Sequence, residues 1–287
     1  MYNFIVNPVS GNKKAIKNMQ KLTKFLTERN IAFCVYTTSK KDAAGKIAAE
    51  LERYGADNII IVGGDGTLNE VINGIENPRN IKIGLIPSGT GNDFAYALKI
   101  STNPIKAMKT ILKNRVRQVD YIQGEGYRGV NVIGAGLDTD VLKTYNSVKI
   151  KNKLTYIISL FKVLHSFDFY KFRIFIDGEI LANSEFMLVA GCNGSRFGGS
   201  IKVSPYSDIR DGKMNLVLIK RMPKKKIPIA LFNFLRGKHL HHNYAVEVPC
   251  SNLRIEGARL INVDGEIIEN KPFDLQIMPG GMNIYLN

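Results

Sequence analysis

The chain has 287 residues, enough for two modest domains or one large one, and an ordinary apolar content of 45%. Its formal charge of +15, from 40 basic and 25 acidic residues, suits either solvated helix faces or an anionic partner. The basic residues are not interleaved with aromatics in any recognisable nucleic-acid module, so a membrane surface rich in anionic lipid suits them better than DNA or RNA. No apolar run is long enough to span a bilayer; the longest, Leu154 to Leu164, is broken by Lys162. A strand pattern begins at once, so no signal peptide is read. Cys34, Cys192 and Cys250 lie far apart without a Cys-x-x-Cys pair and read as buried hydrophobes, which makes the cytoplasm the expected compartment.

In chain order, Tyr2-Asn3-Phe4-Ile5-Val6 predicts a strand, followed by the polar loop Asn7-Pro8-Val9-Ser10-Gly11-Asn12. A lysine-rich helix comes next, with Ile16, Met19, Leu22, Phe25 and Leu26 on one face. The run Asn58-Ile59-Ile60-Ile61-Val62 predicts a buried strand that stops at Gly63-Gly64-Asp65-Gly66-Thr67-Leu68-Asn69-Glu70, where a helix begins. Ile81 to Ile86 predicts a third strand, leading through Pro87-Ser88-Gly89-Thr90-Gly91-Asn92-Asp93 into another helix. Parallel strands with helical crossovers bring such loops together at one sheet edge. Glycines there let backbone N–H groups face a ligand, and helix N-termini favour anions, so the three loops suit a polyphosphate. Asp65 would repel bare phosphate; it makes sense against a divalent cation or the proton of an attacking hydroxyl, or else as a helix cap. No P-loop and no Rossmann glycine pattern is present.

Past about residue 120 short strands follow at Phe172–Ile176, Phe186–Ala190, Met214–Ile219, Leu253–Ile255, Leu260–Val263 and Phe273–Ile277, with Gly-rich turns. These predict an antiparallel sandwich or barrel. A helix is expected near Leu154–Leu164. A second, over Pro223–His242, sets Ile227, Ile229, Leu231, Phe232 and Phe234 between Lys224-Lys225-Lys226 and Arg236, Lys238; it suits either the membrane interface or a seat on the sheet. Further lysines gather at Lys13-Lys14 and from Lys149 to Lys153. The polar loop Pro205–Lys213 carries acids and free carbonyls that suit a hard cation or a plain turn.

Asn7-Pro8-x-Ser10-Gly11, Gly63-Gly64-Asp65-Gly66-Thr67 and Pro87-x-Gly89-Thr90-x-Asn92-Asp93 resemble, in order and spacing, the nucleotide-binding motifs of the diacylglycerol kinase catalytic family, which takes in sphingosine, ceramide and bacterial lipid kinases. Asn131-Val132-Ile133-Gly134-Ala135-Gly136-Leu137-Asp138 and Asn262-Val263-Asp264-Gly265-Glu266 extend the resemblance over nearly the whole chain. The resemblance implies a three-layer α/β nucleotide-binding domain of NAD kinase/diacylglycerol kinase type over 1–122, with 279–287 returning to it. A C-terminal antiparallel β-sandwich domain over 123–278 would carry the lipid substrate.

It also implies an ATP- and magnesium-dependent kinase acting on a lipid hydroxyl, most plausibly that of diacylglycerol, as a peripheral membrane enzyme. Asn7, Pro8, Ser10, Gly11, Thr38, Gly63, Gly64, Asp65, Gly66, Thr67, Asn69, Glu70, Gly89, Thr90, Asn92 and Asp93 would surround the nucleotide. Glu266 would accept the hydroxyl proton, with Asp65 on magnesium through water and Asp120 in support. By residue type alone Asp65 could be the base instead. A structural magnesium would use Asp211 and backbone oxygens near Asp208 and Lys213, with Arg210 standing where relatives carry an acid. Undecaprenol, phosphatidylglycerol and sphingoid bases are alternative acceptors. An NAD kinase is the rival enzyme, disfavoured by Asn-Pro-x-Ser-Gly and by the lack of a Thr-Gly-Ser-Thr-Ala-Tyr run. A non-catalytic lipid or nucleotide sensor is the rival outside enzymes, disfavoured because Asp65 and Glu266 are both kept. No stable protein partner is implied; strand edges leave a homodimer open.

Overall fold

The computed structural model describes residues 1–148, 153–198 and 201–287, in two compact units. Unit one, Met1–Asp120 with Pro279–Asn287, contains β1 (Tyr2–Val6), α1 (Ser10–Thr27), β2 (Phe33–Thr37), α2 (Ala43–Arg53), β3 (Asn58–Gly63), α3 (Asp65–Gly74), β4 (Lys82–Pro87), α4 (Asp93–Ala97), α5 (Pro104–Leu112) and the start of β5 (Val116–Gly124). β2, β1, β3 and β4 lie side by side, all parallel. Strictly apolar, β-branched strands such as Asn58–Gly63 form because helices cover both faces of a parallel sheet. On one face α1 and α5 bury Met19, Leu22, Leu26, Met108 and Ile111 against Phe4, Val6, Ile60 and Val62. Ile16, expected on that buried stripe, is exposed instead. α2 and α3 pack on each other where Gly74 meets the Gly45 carbonyl.

Unit two, Tyr121–Met278, contains β6 (Tyr127–Gly129), β7 (Val132–Gly136), α6 (Leu137–Asn146), α7 (Lys153–Ser166), β8 (Tyr170–Ile176), β9 (Glu179–Cys192), β10 (Arg196–Phe197), β11 (Ile201–Lys202), β12 (Met214–Lys220), α8 (Ile227–Leu235), β13 (Ala245–Cys250), β14 (Asn252–Glu256), β15 (Leu260–Val263), β16 (Glu266–Glu269) and most of β17 (Phe273–Tyr285). Its pairings are antiparallel. β9 is longer than the five-residue strand the sequence suggests, because its first half pairs with β8 and its second half lies between β7 and β12. Val189 then faces one core, with Phe172, Leu216 and Leu253. Leu188, Ala190 and Cys192 face a second core, closed by α6, α7 and α8. β17 is also longer than expected: Phe273–Gln276 pair with β14, and in unit one Asn283 and Ile284 pair with β4. The basic segment is not one helix but short 3-10 turns, Lys224–Lys226 and His239–His241, on either side of α8. Lys149 and Lys151, of the expected lysine cluster, lie outside the described residues.

One polar contact is set deep in unit two. Asp138, in the first turn of α6, reaches the strand at Gly134, where a Cβ would collide with its carboxylate. There it accepts a hydrogen bond from Asn262 Nδ2 at 3.1 Å. Burial pushes the Asp138 carboxyl up to about 7, against the opposing pull of the Asn262 bond. The folded state therefore keeps a proton that the unfolded chain releases near 3.8. Stability contributed by this group is full below pH 4 and falls as pH rises to about 7, by on the order of 4 kcal/mol. Asp138→Asn is neutral at every pH and its amide oxygen still accepts from Asn262. Urea denaturation should show the variant gaining stability over the wild type steadily from pH 4.5 to 7 and no further above that. A difference independent of pH would contradict the shift.

Candidate functional site

The three polar loops follow β1, β3 and β4, neighbours in a parallel sheet, so topology alone sets them side by side. Specific contacts then fasten each to the next. Asn7 Nδ2 donates to Thr67 Oγ1 at 3.2 Å, and the Ser88 N–H to the Gly63 carbonyl at 2.8 Å. A Cβ built on Gly64 would lie 2.9 Å from Gly89 Cα, so the second and third loops touch through their backbones. Any larger residue at either position separates the loops; the glycines thus serve the packing of the loops as well as access for a ligand. Asn92, at φ 57°, clasps Gly89 from both sides, accepting from its N–H at 2.9 Å and donating to its carbonyl at 2.8 Å.

The first loop holds backbone strain. Gly11, Asn12 and Lys13 have φ of 57°, 55° and 68° in succession. For Asn12 and Lys13 the conformation costs about 1–3 kcal/mol each, and such strain gathers at ligand sites. Gly11 admits no side chain, because a Cβ would run into the Ser88 carbonyl.

Asp65 opens α3, and its two carboxylate oxygens accept the Asp93 and Phe94 N–H groups, each at 3.1 Å. The capping role weighed from sequence is thus present, but on α4 rather than on its own helix. The next residue, Gly66, is exposed, with open space where a Cβ would stand. Thr90 is exposed, Pro8 and Ser10 half-buried, and Thr38, Asn69 and Asp93 buried close to the loops' strand ends and helices. Glu70 turns to the start of α2, where its Oε2 accepts the Ala44 N–H at 3.1 Å. Asp120, buried, accepts the Gly280 N–H at 2.6 Å and so holds the returning end of the chain.

In unit two the Asp-Gly-Glu turn divides its labour. Asp264, at φ 51°, accepts three consecutive N–H groups, from Val130 at 2.6 Å and from Asn131 and Val132 at 2.9 Å. Glu266 begins β16, half-buried. The loop before β12 is closed by its own bonds: Asp211 accepts the Lys213 N–H at 2.9 Å, and Asp208 accepts from Arg210, whose guanidinium lies 3.7 Å away. Lys213 Nζ donates to Ser251 Oγ. Among the described residues no three acidic, His or Cys side chains converge as a metal would need. A cation at this loop would rest on one carboxylate and backbone oxygens, beside a competing arginine.

Unit two also holds a small apolar cavity of about 60 Å3, lined by Leu137, Val141, Leu160, Met187, Leu231 and Phe234 among others. Its few polar groups are Asp138, His239 and Tyr244. His239 Nε2 meets the Val203 carbonyl at 3.0 Å, and burial lowers the imidazole below its ordinary value. Sequence reasoning did not find the residues of this cavity, because they are mostly ordinary core types scattered over eight elements. It also missed Asn18, which donates to Ser88 Oγ at 2.8 Å behind the third loop. A polar residue within the apolar stripe of α1 was the available signal.

Comparison with known proteins agrees with this fold. Residues 1–123 match the diacylglycerol kinase catalytic domain, and residues 131–286 the YegS C-terminal NAD kinase beta sandwich-like domain. A diacylglycerol kinase of Bacillus subtilis is 29% identical over 91% of this chain and 88% of its own length; one of Staphylococcus carnosus is 28% identical over 91% and 87%. A crystal structure of a diacylglycerol kinase from Bacillus anthracis superposes with a TM-score of 0.76 at 24% identity, covering 100% of this chain and 96% of that one. An NAD kinase from Archaeoglobus fulgidus in complex with ATP shares the fold, with a TM-score of 0.54 at 14% identity, over 100% and 94%. The chain belongs to the diacylglycerol kinase catalytic family, and it is a lipid kinase.

Proposed function

We propose that the enzyme transfers the γ-phosphoryl group of ATP to the hydroxyl of diacylglycerol, giving phosphatidic acid, at an anionic membrane surface. The observation that carries this reading is the fastening of three glycine-bearing loops into one anion-receiving edge, with the left-handed run Gly11–Lys13 at its rim. Curated relatives that match over nearly all of the chain are diacylglycerol kinases, which supports the choice of lipid.

The nucleotide's phosphates meet the N–H groups of Gly11, Asn12 and Lys13 and the N-termini of α1 and α3, where partial positive charge favours them. Magnesium, when bound, neutralises charge developing on the phosphates; Asp65 is the acid that would hold it, through water, because each of its oxygens keeps a lone pair beyond its one backbone bond. Glu266 accepts the proton of the attacking hydroxyl. Asp120 is a positioning residue, acting through Gly280. The Asp208–Lys213 loop takes no part in turnover. The apolar cavity of unit two receives hydrocarbon of the lipid.

The transfer is tested by following radiolabelled phosphate from ATP into diacylglycerol, undecaprenol, phosphatidylglycerol and sphingosine in mixed micelles, with and without magnesium. Phosphatidic acid should dominate; a faster product from another lipid would reassign the acceptor. Glu266→Gln should lower turnover by roughly 100-fold or more at unchanged melting temperature. Asp65→Asn should do two things, since its amide keeps one acceptor oxygen of two: a similar fall in rate, and a loss of stability of roughly 1 kcal/mol from the weakened cap.

Membrane attachment has its own surface. α7 exposes Leu154, Ile158 and Phe161, and α8 exposes Ile229 and Phe232, while Leu160, Ala230 and Leu231 of the same helices are buried. Lys162 and Lys224, Lys225 and Lys226 are exposed on or beside these helices. No helix among the described residues is long and apolar enough to cross a membrane. Vesicle sedimentation should show binding that rises with anionic lipid and falls with salt. Ile229→Glu with Phe232→Glu should abolish it, and reversing Lys224–Lys226 should weaken it only at low salt. Equal binding of all forms to neutral vesicles would remove this face from the account.

A further inference from the structure

Two of the segments singled out in the sequence, Asn131 to Asp138 and Asn262 to Glu266, lie against each other, and one residue joins them. β15 pairs with β7 so that Asn262 stands opposite Gly134. The space left by the missing side chain of Gly134 is filled by the Asp138 carboxylate. Asn262 is itself buried, and its carboxamide faces two ways. Nδ2 donates to Asp138 Oδ2 at 3.1 Å, and Oδ1 accepts the Gly265 N–H at 2.9 Å. Gly265 is the middle of the turn whose next residue is Glu266. Asp138 lines the apolar cavity, and its second oxygen, Oδ1, is buried without a hydrogen-bond partner. An unsatisfied carboxyl oxygen in such surroundings costs free energy, and a hydroxyl entering the cavity would relieve it.

We propose that Asn262 is a positioning residue, coupling the Asp138 carboxyl at the cavity wall to the turn that carries Glu266. This rests on the reading of Glu266 as proton acceptor. A leucine or serine cannot make both bonds: leucine has no polar atom, and the serine hydroxyl is too short to span the two partners. Without Asn262 the turn keeps its Asp264 anchor, so the fold survives, but Gly265 is no longer tied to the cavity wall and Glu266 loses its fixed approach. A side chain out of place by about 1 Å costs on the order of 100-fold in rate.

Asn262→Leu, Asn262→Ser and Gly134→Ala are to be compared with Glu266→Gln in steady-state phosphorylation of diacylglycerol micelles, with rates normalised to the fraction that melts cooperatively. Gly134→Ala displaces the Asp138 carboxylate without altering either partner of the pair, and so reports even where a change at Asn262 impairs folding. Each variant is expected to lose at least about tenfold in kcat while the KM for ATP stays within twofold of the wild type. A residue that merely supported the fold would lower the melting temperature and leave kcat per folded molecule intact. Wild-type kcat in folded Asn262→Leu, Asn262→Ser or Gly134→Ala beside an inactive Glu266→Gln would overturn the coupling alone. An active Glu266→Gln would overturn the parent reading of the turn instead.

Discussion

The contact between the backbones of Gly64 and Gly89 is the constraint on which unit one's chemistry depends. Parallel pairing of β1, β3 and β4 delivers three loops to one edge, but leaves them as separate turns. Bringing two of them into van der Waals contact removes the slack between them, and Asn92 and Asp65 then lock the third loop and the helix after it. The rigidity is built almost wholly from main chain and short polar side chains, which lose little rotamer entropy when fixed. A site formed in this way offers N–H groups at set positions before any ligand arrives, as preorganised binding of a polyphosphate requires.

The two carboxylates of the Asp-Gly-Glu turn are not equivalent, and their difference is physical rather than positional. Asp264 accepts three N–H groups, each such charge-assisted bond contributing roughly 1.5–3 kcal/mol in favourable settings. A carboxylate so satisfied is a poor proton acceptor and a good anchor. Glu266, beyond the glycine, stands half-buried at the start of β16. The acid that holds the turn is therefore distinct from the acid the turn presents.

Strand and helix periodicity made β1, β3 and β4 and the helices after them legible, together with the three loops, since β-branched runs ending in Gly, Asn and Asp leave few other readings; β2, α2 and α5 were not read. Hairpin signals likewise disclosed β8, β9, β12, β14, β15 and β17, but not the shorter strands between them nor the length of β9 or β17, because a strand that changes partners midway shows no break in its alternation. The left-handed backbone of Asn12 and Lys13 was illegible: nothing about a lysine announces positive φ, and only Gly11 before them is of the type that favours it. Asn18 and Asn262 were open to suspicion as polar residues in apolar settings, yet their partners lie 70 and 124 residues away.

The helices α7 and α8 both lie partly at the surface. A helix on a globular surface normally shows one apolar face, whereas these show two: one turned into the cavity wall and core, the other to solvent. Exposure of Phe161 at 58% and Ile229 at 64% forgoes burial that, in a helix docked only to protein, selection would replace with polar residues. Both helices line the same cavity, so a bilayer covering their outer faces would place hydrocarbon on both sides of a thin protein wall. A lipid chain moving from one to the other would then exchange one apolar environment for another, with little net hydrophobic cost. The basic residues around α8 would add attraction to anionic headgroups at such a surface without being drawn into the hydrocarbon, since long lysine side chains keep their charge at the interface.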